Sequence, residues 1–319
     1  MKYEDIEELS YERIEGFRHE YRYIQEITAP SMDIEVATRL MQGAIDVHTH
    51  PAPDPYALRF RDRNDIAMAK QAAEMGMAAI VIKAQGYPTA RSAYIDQIVI
   101  DEWAREHNRK SIKIIGGIVL NYCVGGLNPI AVELTAKIGG KFIWTPQLDS
   151  SHQYKMWGKP GGIEVVEGDH VVPRLREIFE VIAKHDLVLS LCHHTTRERL
   201  IMIDDAKEVG VKRMELVHVN QPLTQMSIDQ MKLAASKGAY LGLYGYTLHP
   251  PEFVLDEVVA AIREVGADHF VLGTDLGPAF MCDQAPGYRR FLLTLLHAGI
   301  PEADIEKMAR INPGRLIFQ

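Results

Sequence analysis

The spacing of apolar residues changes period repeatedly along this chain. Short, nearly continuous apolar runs alternate with longer stretches in which apolar side chains recur every three or four positions. The short runs predict buried strands at residues 44–50, 78–83, 112–120, 140–145, 187–193, 215–219, 239–243 and 269–274. The longer stretches predict amphipathic helices at 62–75, 93–107, 129–138, 173–184, 197–208, 224–236 and 251–265. Several helices are followed by a glycine suited to a left-handed cap, namely Gly76, Gly139, Gly210, Gly238 and Gly266. Residues 1 to about 42 are charged and helix-prone. Pro30 interrupts them, and Ser31 is a candidate N-cap for the stretch from Met32 to Leu40. This segment is expected to be a helical N-terminal extension that packs on the main body at a subunit contact.

Strands alternating with helices imply a parallel sheet covered on both faces. Eight is the number that closes a (β/α)8 barrel, so the expected fold is an α/β TIM barrel over residues 43–319. A doubly wound open sheet would be favoured by a glycine-rich phosphate loop after the first strand, and the sequence has none there. The longest irregular interval runs from Pro146 to Val172. Within it, residues 161–172 read as a hairpin turning at Glu167-Gly168-Asp169.

The candidate chemistry lies at strand ends. The first strand ends His48-Thr49-His50, and residues two apart on a strand point the same way. Two imidazoles can then reach one point beyond the strand, a geometry suited to Zn²⁺ or a similar divalent ion. The fifth strand ends in Cys192-His193-His194, the sixth in His218 and the eighth in Asp275. Each falls where a βα loop begins, the face on which barrels keep their chemistry.

Composition narrows the partners. The chain has 319 residues, 47% of them hydrophobic, enough for a large core. A net charge of −8 and a pI near 5.9 leave no basic stripe for nucleic acid or a membrane surface. No apolar stretch is long enough to span a bilayer. The acidic start lacks the order of a signal peptide, and three widely spaced cysteines argue against a disulfide framework. The expectation is a cytoplasmic enzyme acting on a small molecule, in a homo-oligomer.

With these residues in view, the chain resembles the amidohydrolase superfamily of metal-dependent (β/α)8 hydrolases. The resemblance rests on His48-Thr49-His50, on His193, His218 and Asp275, and on the ending Asn312-Pro313-Gly314-Arg315-Leu316. It is closer to a poorly characterised branch, through His48-Thr49-His50-Pro51-Ala52-Pro53-Asp54, Ile80-Val81-Ile82-Lys83, Gly116-Gly117-Ile118-Val119-Leu120-Asn121, Gly125-Gly126-Leu127-Asn128-Pro129, Trp144 and Gly273-Thr274-Asp275-Leu276-Gly277. It implies that His48, His50 and His193 ligate one divalent ion, with Zn expected and Mn or Fe as substitutes. Asp275 would be a further ligand or the catalytic base. His218 would be a catalytic residue polarising the substrate, or a second-site ligand. Asp46 would orient a ligand imidazole or serve as a structural carboxylate.

Binuclear members carry a bridging Lys or Glu on strand four. Here that strand reads Phe142-Ile143-Trp144-Thr145, and Lys141 comes too early. Lys83, ending strand two, is the only substitute metal bridge, or else an ammonium facing the substrate or a structural lysine paired with Asp46. Arg59, Lys83, Trp144 and Tyr244 are the candidate substrate contacts, and Arg61 is a further candidate anion binder. His152, Tyr154, Trp157, His170 and Tyr246 are candidates for shaping the pocket. The leading expectation is hydrolysis of an amide, lactone, cyclic imide or ester. The alternatives are a mononuclear decarboxylase, a phosphoesterase of the histidinol-phosphatase kind, and a metabolite-binding barrel without turnover.

Overall fold

The computed structural model describes residues 31–57, 60–245, 255–279 and 281–319. All eight predicted strands are present: β1 (Ile45–Thr49), β2 (Ala79–Ile82), β3 (Lys113–Ile115 and Gly117–Val119, interrupted at Gly116), β4 (Phe142–Trp144), β5 (Val188–Leu191), β6 (Arg213–Leu216), β7 (Tyr240–Tyr244) and β8 (Phe270–Gly273). Each pairs in parallel with the next. The ring closes between β8 and β1. There Thr49 bridges Leu276, the Asp275 N–H donates to the His48 carbonyl at 2.8 Å, and the His50 N–H donates to the Leu276 carbonyl at 2.8 Å. The fold is the (β/α)8 barrel that the periodicity predicts.

The helices are α1 (Ser31–Leu40), α2 (Asp65–Glu74), α3 (Ala90–Glu106), α4 (Pro129–Lys137), α5 (Ser151–Met156), α6 (Pro173–Lys184), α7 (Thr196–Glu208), α8 (Ile228–Ser236), α9 (Leu255–Val265), α10 (Gln284–His297), α11 (Glu302–Glu306) and α12 (Asn312–Phe318). Alternation along the strands sorts the core into two layers. Ala79 and Val81 point into the barrel with Ile45, Phe142, Trp144, Val188 and Val271, while Ile80 and Ile82 pack outward under the helices. The five glycines after helices all take left-handed φ, between 86° and 99°. The predicted hairpin pairs Val166–Glu167 with His170–Val171.

Several boundaries move for local reasons. β6 lies earlier than expected, because the chain turns at His218, whose φ is 56°. The helix expected at 62–75 starts at Asp65, capped by the Asn64 side chain, and the one expected at 224–236 starts after Ser227, which forms a capping box with Gln230. Helices α5 and α10–α12 fall where no helix is predicted. The tail motif lies in α12, where the buried Asn312 amide donates to the carbonyls of Ala267 and Phe270 at 2.8 Å each, fastening the tail beneath β8. α1 packs on α10 and α11, with Asp33 2.7 Å from His297 and Arg39 paired with Glu302. Residues 1–30 of the expected extension lie outside the described residues. No helix among the described residues is long and apolar enough to cross a membrane.

The β8–β1 seam is held from behind by Asp46. Its buried carboxylate accepts from the backbone N–H and hydroxyl of Thr274 (2.9 and 2.7 Å), the Gln284 amide (2.6 Å) and the His48 N–H (3.1 Å). Of the two roles considered for Asp46, the structure shows the structural one, because none of its bonds reaches an imidazole ring. The pairing register of β1 with β2 shifts between Asp46 and Thr49, a bulge that breaks the simple alternation. Val47 joins the barrel interior while the neighbouring His48 ring also packs against interior aromatics, 4.8 Å from Tyr244 between centroids. Asp46→Ala is expected to lower unfolding free energy by about 3 kcal/mol in urea titration, since it strands several buried donors at once. A loss under about 0.5 kcal/mol, within the range of a neutral surface change, would contradict that role.

Candidate metal centre at the open end of the barrel

His48 and His50 leave the end of β1, and Asp275 follows β8 across the seam. Their polar atoms form a triangle. His48 Nε2 and His50 Nε2 are 3.2 Å apart, and Asp275 Oδ1 lies 3.3 Å from the first and 2.9 Å from the second. Two ligands at about 2.0–2.1 Å from a tetrahedral ion are separated by roughly 3.3 Å, so the triangle fits one face of such a site. The other carboxylate oxygen faces His218, whose Nε2 is 3.6 Å from Oδ2. His48, His218 and Asp275 each offer a ligand atom within 4.8 Å of the others.

The backbone around the triangle is unusually constrained. His218 and Asp275 both sit at positive φ, 56° and 55°, a conformation that non-glycine residues rarely take and that clusters at functional sites. His218 is anchored on both sides. The buried Arg199 guanidinium donates to the carbonyls of Val217 and Thr224, and the Thr224 hydroxyl donates to the His218 carbonyl at 2.6 Å. Two glycines let the strands approach closely. A Cβ at Gly273 would stand 2.7 Å from the Tyr244 ring and 3.1 Å from His48 Cβ, and one at Gly277 would collide with the His50 carbonyl oxygen.

Protonation favours a cation. Burial pushes His48 and His193 well below the usual histidine range and brings His50 and His218 down to about 4, so all four imidazoles are neutral at pH 7. The Nδ1–H of His50 donates to the Lys83 carbonyl at 3.0 Å, which leaves its Nε2 lone pair facing the triangle. Burial alone would raise Asp275, but attraction to His218, His50 and His48 in their protonated forms outweighs that and holds it well below the usual carboxylate range. The imidazole nitrogens of His48 and His50 at one oxygen of Asp275, and that of His218 at the other, offer a donor set that suits a zinc-like divalent ion.

His193, expected beside His48 and His50, lies next to this cluster but differs from it in its partners. Its ring is 5.5 Å from that of His218, about as near as His218 is to His48 (5.7 Å), and both of its nitrogens are engaged by amides. The Gln147 amide donates to Nε2 at 3.1 Å, and Nδ1–H donates to Gln153 Oε1 at 2.7 Å. The neighbouring His194 is fully buried against the Thr145 hydroxyl at 3.0 Å.

Lys83 does reach the site. Its fully buried ammonium lies 3.3 Å from His48 Nε2, bonds to Gln147 Oε1 and stands over the Trp144 ring, 5.5 Å from its centroid. Burial pushes its pKa below the usual value. Trp144 and Tyr244 are buried and form the floor beneath the imidazoles, so they support the rings from below rather than face the opening. Tyr244 also donates to Glu215, which accepts from Ser190 as well at 3.0 Å and which burial raises to about 7. Arg59 and Tyr246 lie outside the described residues. Arg61 donates to the His50 carbonyl at 3.1 Å, which ties it to the first strand's end. Lys141 pairs with Asp186 ahead of β4, away from this end of the barrel. In the long loop, His152 bonds to the Leu223 carbonyl, His170 pairs with Asp205, and Tyr154 bonds to Asp149.

Gln147, Gln153 and Arg199 were not singled out from the sequence. Gln147 follows β4 as His218 follows β6, but a neutral amide carries no ligand signature. Its oxygen takes both Lys83 and the Gln85 amide, the latter at 3.0 Å.

A family model matches residues 43–242. The chain belongs to the Family of unknown function (DUF6282). No curated protein matches it by sequence. Solved structures share its fold. An amidohydrolase from Pseudomonas aeruginosa superposes with a TM-score of 0.59 at 12% identity, over 89% of this chain and 97% of that one. A putative 2-pyrone-4,6-dicarboxylic acid hydrolase from Pseudomonas putida gives 0.57 at 12% identity, over 86% and 97%. An organophosphorus hydrolase from Deinococcus radiodurans gives 0.54 at 13%, over 88% and 93%. These enzymes and this chain share one overall fold.

The geometry separates the two lone histidines experimentally. His218→Ala is expected to lower zinc affinity at least about tenfold, the usual scale for damage to a metal cradle, while His193→Ala leaves it within about threefold. Competition with a fluorescent chelator reads both. Equal losses, or a loss at His193 alone, would restore His193 to the ligand set.

Proposed function

We propose that this chain is a metal-dependent hydrolase that uses one divalent ion to cleave an amide, lactone, cyclic imide or ester bond in a small molecule. The observation that supports this most is the triangle of His48, His50 and Asp275, closed on its far side by His218. Zinc suits its donors best, with Mn or Fe as substitutes. An ion bound there supplies Lewis acidity and lowers the pKa of water toward ~7.

The chain's own residues do the rest. Asp275, with a side chain 13% exposed, is the member of the cluster most open to solvent. Its low pKa keeps it ionised and able to accept a proton from the attacking water and hand it to the leaving group. Lys83 and His193 share Gln147 as a partner and are the polar groups left over once the cluster is assigned. They bind the carbonyl side of the substrate and steady charge that develops on it. Lys83 serves here as an ammonium rather than as a bridge between two metals, because β4 offers no second bridging residue and Lys83 already has an amide oxygen to hold it. Trp144, Tyr244 and Phe142 exclude water beneath the reacting groups.

Two variants test these roles on any substrate found by screening amides, lactones and esters. Asp275→Asn is expected to cut kcat by ~10²-fold or more with the fold and bound metal retained, the usual cost of losing a general base. Retention of more than about a tenth of the activity would remove Asp275 from that role. Lys83→Ala is expected to raise KM with metal stoichiometry unchanged. Loss of a metal equivalent would make Lys83 a ligand, and release of CO2 as the product would replace hydrolysis with decarboxylation.

A further inference from the structure

Helix α3 is apolar on both sides. Ala93, Ile100 and Ala104 face the sheet, as an amphipathic barrel helix requires. Tyr94, Ile95, Ile98 and Val99 nevertheless point outward, with Tyr94 and Ile98 63% and 58% exposed. The next helix, α4, repeats the pattern. Ile130 (68% exposed), Leu134 and, at its C-terminal end, Ile138 follow one another at four-residue spacing on its outer side. The two helices approach at Gly140, where a Cβ would lie 2.8 Å from Ala90 Cβ and 2.9 Å from the Thr135 carbonyl. Seven large apolar side chains at about half exposure present on the order of 700 Å². Together the two stripes approach the ~800 Å² each partner gives a standard interface.

Charge placement identifies what covers this face. Arg91 and Glu102 are exposed, bracket the α3 stripe on its own side and have no ion-pair partner among the described residues. The stripe is centred between residues 96 and 97, and so is the pair of charges. A two-fold axis at that point lays α3 antiparallel on its own copy. Arg91 then meets Glu102, Tyr94 meets Val99, and Ile95 meets Ile98, each contact made twice. An isologous interface needs this self-complementarity, whereas an unrelated partner would have no reason to require opposite charges at equal distances from the centre.

We propose that the outer face of α3 and α4 is a two-fold interface between two copies of this chain. Ile98 lies on the surface, so Ile98→Glu leaves the core intact, and Leu134→Glu provides a second disruption on the other helix. Sedimentation velocity on the full chain across a concentration series, with circular dichroism as the check on folding, reads the result. The wild type is expected to be a dimer. Ile98→Glu and Leu134→Glu are each expected to weaken it at least about tenfold. Arg91→Glu and Glu102→Arg are each expected to weaken it several-fold, since every change acts twice, and the double variant R91E/E102R is expected to regain most of the loss. A wild type that stays monomeric at tens of micromolar would overturn the proposal. So would a dimer indifferent to both apolar-to-Glu changes, or one that the charge swap fails to restore.

Discussion

The candidate centre exists because the first and last strands of the barrel are tied together. Asp275 donates its backbone N–H to the carbonyl of His48, and His50 donates its own to the carbonyl of Leu276. The same residues that close the ring therefore carry the side chains that meet in front of it. Behind the seam, Asp46 gathers Thr274, Gln284 and the His48 N–H on one buried carboxylate. Burial raises that carboxyl to about 6, yet four donors hold it in place. Loosening the seam would separate the triangle directly, because two of its corners sit on one strand and the third on the other.

The electrostatics follow from the same burial. A site walled by Trp144, Tyr244 and Phe142 disfavours charge on any group without a partner, so the imidazoles stay neutral. Asp275 escapes that pressure because three imidazoles surround it. The result is a negative corner among neutral nitrogen donors, a set that gains most from a cation. Lys83 is the member under tension. Its ammonium lies next to His48 and is held by Gln147, and a dication in the triangle would push its already lowered pKa further down.

Most of the barrel was legible in the sequence because a buried parallel strand has a plain signature, a short apolar run between helical periods. The residues His48, His50, His218 and Asp275 were legible for a related reason: strand ends are positions the period itself locates. Geometry at a single residue was less legible. The bulge in β1 separates Asp46 from the face of His48, and strict alternation would have kept them together. The left-handed φ of His218 ends β6 early and aims that imidazole at Asp275, leaving His193 to Gln147 and Gln153. Neither event leaves a mark in composition or spacing. The short helix α5, which delivers Gln153, lies in a loop whose sequence shows too few turns to establish a period.

X-ray absorption at the zinc edge on the reconstituted protein tests the central claim most directly. The account predicts one ion with nitrogen and oxygen ligands at about 2.0–2.1 Å, at least two of them imidazole, and no sulfur at ~2.3 Å. A metal–metal vector near 3.5–4 Å, a thiolate ligand, or zinc lost to gentle dialysis would contradict it.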